Sequence, residues 1–208
     1  EVEDALGVLA FAMTAPQDAA PGLAAFKAAF ASKAGKQAVQ SRVSLLHCTT
    51  DYPADPGEAN LKAIPALADS YKMRIGFSDH TPSIAISLGA VALGAVVIEK
   101  HLTLDCNLPG PDHKASLEPA AFKALVEGVR AVEKALGDGE KRPMPSELAN
   151  RSIARKSLAA LKPIAKGELF SEANMGPLRP GDGRSPMGYW DMLGQAASGD
   201  LKPGERLP

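Results

Sequence analysis

The chain carries no excess of either charge: 23 lysines and arginines stand against 24 aspartates and glutamates, for a formal net charge of -1 at pH 7. The basic residues are scattered among acids, whereas nucleic acid or an anionic membrane would select a basic patch or stripe, so neither is expected as a partner. Long apolar runs are missing as well. No stretch approaches the roughly 20 apolar residues of a membrane span, and none resembles a secretory leader. Cysteine is scarce, with only Cys48 and Cys106, both in or beside strand-like apolar runs and without zinc-type spacing. A disulfide framework and a closed structural zinc site are therefore not expected, and the reading is of a soluble protein in a reducing, cytoplasmic compartment.

What is present is ordinary globular material, 45% hydrophobic and 23% charged over 208 residues, enough for a core and one or two domains. The first residue is Glu1, and EVEDALGVLAF reads as the middle of a helix, so the natural chain is expected to begin upstream. Three strand-to-helix units then follow one another. VSLLHCT (43–49) leads through TDYPADPG to the helical stretch EANLKAIPALADSY, and MRIGFSD (73–79) leads through HTPS to IAISLGAVALG. AVVIEKHLTL (95–104) leads through DCNLPGPDHKASLE to a helix from Pro119, with a stop at Gly137 and an apolar stripe of Phe122, Leu125, Val126, Val129, Val132 and Leu136. That stripe is expected to cover a parallel sheet. Repeated βα units with polar strand ends suit a (β/α)8 barrel, of which three units are a part; a doubly wound sheet is the rival.

The Ala-rich segment FAMTAPQDAAPGLAAFKAAFASKAGKQ is expected to be a helical excursion on the surface. The organisation expected is thus a partial barrel over 1–137, a polar, aperiodic, proline-containing linker over 138–150, and a small, turn-rich, mainly β module over 151–208. Within that module Leu161-Lys162-Pro163 with Gly167-Glu168 is echoed by Leu201-Lys202-Pro203-Gly204-Glu205, which suggests two similar turns.

Chemistry concentrates in GFSDHTPSIAISLGAVALGAVVIEKHLTLD (76–105), where His80 and His101 each stand near a carboxylate. Strand alternation puts Val97, Glu99, His101 and Thr103 on one face and Val96, Ile98, Lys100 and Leu102 on the other. The same counting puts Ser78 beside His80, provided the strand persists through Asp79. Two imidazoles from adjacent parallel strands can make an open site for a divalent ion such as Mn²⁺. The bland alternative makes His80 a helix cap and His101 a satisfied core histidine, and the residues alone leave the two readings level. Thr50 and Ser78 are candidate phosphate contacts or plain helix caps. Thr49, Asp51 and Tyr52 share that end of the sheet with Asp112, His113 and Ser116; Asp112 either shapes a turn or binds sugar hydroxyls. In the second module Arg179, ahead of Pro180-Gly181, is an arginine presented on a rigid turn.

HCTTDYP, GFSDHT, GAVVIEKHLTLD, GPDHKASLEP, RSIARKSL, IAKGELF and RPGDGRSPMGYWDMLG, in that order, closely resemble the N-acetylneuraminate (sialic acid) synthase family with its legionaminate-type relatives. The resemblance implies the C-terminal part of a (β/α)8 barrel followed by an antifreeze-like (SAF, β-clip) domain. It implies condensation of phosphoenolpyruvate with N-acetylmannosamine to N-acetylneuraminate and phosphate; legionaminic or pseudaminic acid synthesis from a 2,4-diacetamido hexose is the alternative. By the same resemblance His80 and His101 hold a divalent metal, Mn²⁺ ahead of Mg²⁺ or Co²⁺, and act in catalysis with Glu99. Ser78 contacts phosphoenolpyruvate, while Tyr52, Glu99 and Asp112 line the substrate pocket. Arg179 reaches the N-acetyl end of the sugar from a neighbouring subunit, which implies a domain-swapped homodimer. Thr50 stands where many relatives carry another small polar residue. The family's catalytic glutamate and phosphate-binding lysines belong to the upstream barrel half, so this stretch by itself is expected to be inactive. A reading of another class is a non-catalytic carbohydrate-binding or oligomerisation module.

Overall fold

The computed structural model describes residues 1–208 as two compact units, Glu1–Gly139 and Glu140–Pro208. In the first unit, helices α1 (Val2–Thr14), α2 (Leu23–Ala31) and α3 (Lys33–Arg42) precede three βα pairs. These are β1 (Ser44–Cys48) with α4 (Ala63–Tyr71), β2 (Arg74–Asp79) with α5 (Ile84–Ala92), and β3 (Ile98–Lys100) with α6 (Pro119–Leu136). The sheet is parallel in the order β1-β2-β3, with Cys48 opposite Ser78 and Ser78 opposite Glu99. A one-residue shift along a strand changes its face, so this register sorts every side chain. Ile75 and Phe77 point outward into a core with Leu6, Ala10, Val39, Ile64 and Ala90, whereas Gly76, Ser78 and His80 share the opposite face with Val97, Glu99 and His101.

Several expectations need adjustment, each for a local reason. The helix read from Glu58 begins only at Ala63, because Asn60 takes a left-handed conformation (φ 41°). Pro65 then falls in the first turn, where its missing N–H removes no helical bond. Regular pairing in 95–104 is confined to Ile98–Lys100, although Phe77 N–H still donates to Val97 O at 2.8 Å and Thr103 N–H to Leu117 O at 2.9 Å on either side. His101 therefore lies one residue past the end of its strand. The surface excursion is helical as expected; α2 buries no residue, but α3 contributes Val39 to the core. The stripe of α6 does not cover the sheet in full. The helix packs on α5, with Gly128 against Leu88 and Leu125 buried, and it leaves Val126 and Leu136 about half exposed.

Gly76 is needed by the close approach of β2 and β3. A Cβ there would stand 2.8 Å from both the Cβ and the carbonyl oxygen of Val97. Backbone cannot yield as a side-chain tip can, so Gly76→Ala should push the strands apart at an overpacking cost of about 1–3 kcal/mol. Thermal denaturation should read this as a fall of several degrees in midpoint, and an unchanged midpoint would refute the tight-approach account.

The stretch 138–150, which spans the boundary between the two units, is not aperiodic throughout. Helix α7 (Pro145–Ala154) begins inside it, with Pro145 at its first position and Glu147 accepting from Met144 N–H at 2.7 Å. Beyond it β4 (Ser157–Ala160) pairs antiparallel with β5 (Met175–Leu178), and a short helix, α8 (Tyr189–Met192), packs Met192 into a core with Leu158, Ile164, Phe170 and Leu207. The two expected turns are present and alike. Gly167 and Gly204 both have positive φ (86° and 84°), and Glu168 and Glu205 each accept from the backbone N–H three residues earlier, Ala165 and Lys202, at 3.0 and 2.8 Å. That backbone bond, with help from Asn174, holds the Glu168 carboxyl below its ordinary range. The same shift from Gly167 to Gly204 relates the pairings Ala159↔Arg206 and Ala196↔Leu169, while Ile164 pairs with its own counterpart, Leu201. Segments 159–169 and 196–206 are thus two similar stretches paired about a local twofold axis, to which α7, β5 and α8 are additions without counterparts.

Candidate active site at the strand ends

Three aromatic rings meet at the C-terminal end of the parallel sheet. The His80 and His101 ring centroids are 5.2 Å apart, and Tyr52, from the loop after β1, lies 4.1 Å from His80 and 5.6 Å from His101. Because β2 does persist through Asp79, Ser78 and His80 share the site face, and Ser78 Oγ donates to Glu99 Oε1 at 2.6 Å. A bond to a carboxylate makes this the stronger kind of hydrogen bond and fixes the Glu99 head. The capping reading of Ser78 and His80 does not hold. The cap of α5 is Ser83, whose side chain accepts from Ala85 N–H, so His80 and Ser78 are not helix caps.

The loop after β1 orients His80. Its Nδ1 lies 2.8 Å from the carbonyl oxygen of Thr49, with Cys48 Sγ at 3.7 Å. A carbonyl can only accept, so Nδ1 carries a hydrogen, which in the neutral ring leaves the lone pair on Nε2. That is the usual preparation of a metal-ligating imidazole. No group of three or more His, Cys, Asp or Glu is arranged to hold an ion. A divalent ion held between these two imidazoles would therefore have an open site, with its other positions left to oxygens from outside the protein.

Behind the site, on the outer face, Lys100 Nζ lies 3.2 Å from Asp79 Oδ2, with both side chains wholly buried. Burial pushes the Lys100 ammonium below its ordinary value, opposed by the Asp79 charge. Sequence reasoning put Lys100 on this face but gave the pair no role. The available signal was an acid and a base standing one residue before the two histidines.

Other expected site residues are not drawn into the ring cluster. Thr50 is exposed on the loop, while Thr49, beside it, contributes its carbonyl. Asp112 is exposed at the head of a one-turn 3-10 helix, and it is its carbonyl that accepts from Ser116 Oγ, at 2.7 Å. His113 is tied to buried Thr103 at 2.8 Å. Arg179 belongs to the second unit, exposed at the end of β5, with Nε donating to Ala154 O at 3.0 Å.

A parallel βα sheet that gathers imidazoles, hydroxyls and a carboxylate at its strand C-termini has the layout of a barrel-borne site. Residues 1–141 match the NeuB family model and residues 155–208 the SAF domain model. The chain belongs to the NeuB family, with part of a (β/α)8 barrel followed by a β-clip SAF domain. It is 54% identical over 170 residues to the N,N'-diacetyllegionaminic acid synthase of Campylobacter jejuni, covering 82% of this chain and 51% of that protein. It is 43% identical over 127 residues to human N-acetylneuraminate-9-phosphate synthase, covering 61% and 35%. Among solved structures it is similar to the N-acetylneuraminic acid synthetase of Leptospira borgpetersenii, with a TM-score of 0.51 and 38% identity, covering 62% of this chain and 45% of that one. The chain thus spans about half the length of the curated relatives it matches. No helix is long and apolar enough to cross a membrane.

Proposed function

We propose that the protein condenses phosphoenolpyruvate with a 2,4-diacetamido hexose, releasing inorganic phosphate and forming a nine-carbon α-keto acid of the diacetyllegionaminate kind. The observation that carries the reaction is the convergence of His80, His101, Tyr52 and the Ser78–Glu99 pair at the strand ends of a NeuB-family chain. The choice of sugar rests on the 54% identity to a diacetyllegionaminic acid synthase, with pseudaminic acid synthases from the same genus at 45% and 44%. N-acetylmannosamine, the substrate first expected, becomes the second choice.

In the reaction C3 of phosphoenolpyruvate forms a bond to the aldehyde carbon of the open-chain sugar, water adds at C2, and phosphate departs with the C2–O bond. His80, through Nε2, and His101 would hold a divalent cation, Mn²⁺ first, which when bound polarises the aldehyde oxygen as a Lewis acid. Ser78 places a hydroxyl where phosphoenolpyruvate docks. Glu99, anchored through one oxygen, has the other to accept from a sugar hydroxyl or the attacking water. The Tyr52 ring closes one side of the space between the imidazoles and limits access of bulk water. Asp112 would join the sugar pocket and Thr50 the phosphate contacts. Arg179 is assigned to the acetamido end of the sugar in a partner's site, within a domain-swapped homodimer. Phosphoenolpyruvate, a cytoplasmic metabolite, places the reaction in the cytoplasm.

The natural full-length protein, given phosphoenolpyruvate, Mn²⁺ and an N-acetylated aldose, should release phosphate only when all three are present. Absence of release with every aldose offered would overturn the synthase reading and favour a non-catalytic carbohydrate-binding module.

A further inference from the structure

The outer face of the sheet holds a device that the reaction does not use directly. We propose that Asp79 and Lys100 are positioning residues: their buried pair locks the ends of β2 and β3 at the spacing that His80 and His101 need to share one divalent cation. The inference rests on the metal reading above.

Asp79 and Lys100 are direct partners in the β2–β3 register, and they form its last rung, since β2 ends at one and β3 at the other. The histidines follow directly, one residue past the end of each strand. Beyond this rung no regular ladder couples the two backbones, and the side-chain pair on the opposite face ties the residues adjoining both histidines, one rung nearer to them in sequence than the Ser78–Glu99 bond on the site face. The pair also grips the turn that carries His80. Asp79 Oδ1 accepts from Thr81 N–H at 2.8 Å, Asp79 Oδ2 accepts from Ser87 Oγ in α5, and Lys100 Nζ donates to the Thr81 carbonyl. His80 is therefore bracketed by residues 79 and 81, each held by the pair. Its own carbonyl accepts from Ala54 N–H at 2.9 Å.

Apolar side chains of similar volume often stabilise a fold as well as a buried ion pair does. They cannot make directional bonds to both the N–H and the carbonyl of one residue. What the charged pair adds over an apolar contact is the fixed geometry of the strand ends. Groups that hold a ligating imidazole in place typically change metal affinity by 10–100-fold when removed.

The test compares four forms of the natural full-length protein: wild type, His101→Ala, Lys100→Met, and the double variant Asp79→Asn/Lys100→Met. Lys100→Met strands a buried carboxylate and should lower the thermal midpoint. The double variant removes both charges and keeps an amide oxygen for Thr81 N–H, so the midpoint should return close to wild type. Its Mn²⁺ affinity, measured by titration calorimetry without substrate, should nevertheless fall tenfold or more, and saturating Mn²⁺ should restore kcat. A purely structural pair would recover stability and affinity together. A folded double variant that binds Mn²⁺ within twofold of wild type, while His101→Ala does not bind, overturns the positioning role alone. Equal binding by wild type and His101→Ala overturns the metal reading itself. If the double variant does not fold, Lys100→Arg decides: it keeps the charge but changes the shape of the donor, and unchanged Mn²⁺ affinity in a folded Lys100→Arg protein overturns the proposal.

Discussion

Replacing His101 by alanine in the full-length protein should lower kcat/KM for phosphate release by about three orders of magnitude, because Lewis-acid stabilisation of a developing alkoxide contributes several kcal/mol and each 1.36 kcal/mol is a factor of ten. The thermal midpoint should move little. His101 lies just past the regular strand, and its ring meets those of His80 and Tyr52 while its carbonyl accepts from Leu117 N–H at 2.9 Å. Truncation keeps that backbone bond and removes only the imidazole. His80→Ala is a less clean test, since it also deletes the 2.8 Å bond to the Thr49 carbonyl and loosens the loop carrying Tyr52. Steady-state kinetics with a calorimetric midpoint make the check, and a His101→Ala protein within tenfold of wild-type kcat/KM would refute a catalytic role for that imidazole.

Given competing sugars, the full-length protein should favour a 2,4-diacetamido hexose over N-acetylmannosamine by about 10²-fold or more in kcat/KM. The two differ at C4, where an acetamido group replaces a hydroxyl. A site built to hydrogen-bond a polar substituent leaves its own buried groups unpaired when that substituent is missing, and discrimination of that kind reaches about 10⁴ to 10⁵. A pocket shaped for the C4 hydroxyl would instead exclude the bulkier amide, so the sign of the ratio is diagnostic. Parallel phosphate-release assays with each sugar measure it. A ratio near one, or one favouring N-acetylmannosamine, would return the assignment to N-acetylneuraminate synthesis.

Both expectations depend on residues whose grouping was partly legible in advance. Counting by twos along 73–80 and 95–104 put Ser78 beside His80 and Glu99 beside His101, and the 2.6 Å Ser78–Glu99 bond and the ring cluster follow from that parity once the strands are neighbours. Alternation is a property of each strand alone, which is why it could be read without a fold. The start of α6 at Pro119 and its stop at Gly137 were legible for the same reason, since caps are local chemistry. The extent of β3 was not, because pairing needs a partner at each position and the partner strand ends at Asp79.

What the sequence by itself determined is the order of three βα units, the face each polar residue takes, the two matched turns of the second unit, and the motifs of the family. Three matters were decided only by tertiary structure. The Thr49 carbonyl selects the Nδ1–H tautomer of His80, and no side-chain pattern encodes a backbone acceptor. Tyr52 comes to lie over both imidazoles because the loop after β1 folds across the sheet end. Asp79 and Lys100 become one buried pair only when parallel register sets them side by side. A charged residue in a strand is read from sequence as exposed or paired with equal ease. Register and burial make that choice, because only a packed structure removes the water that would otherwise solvate each charge separately.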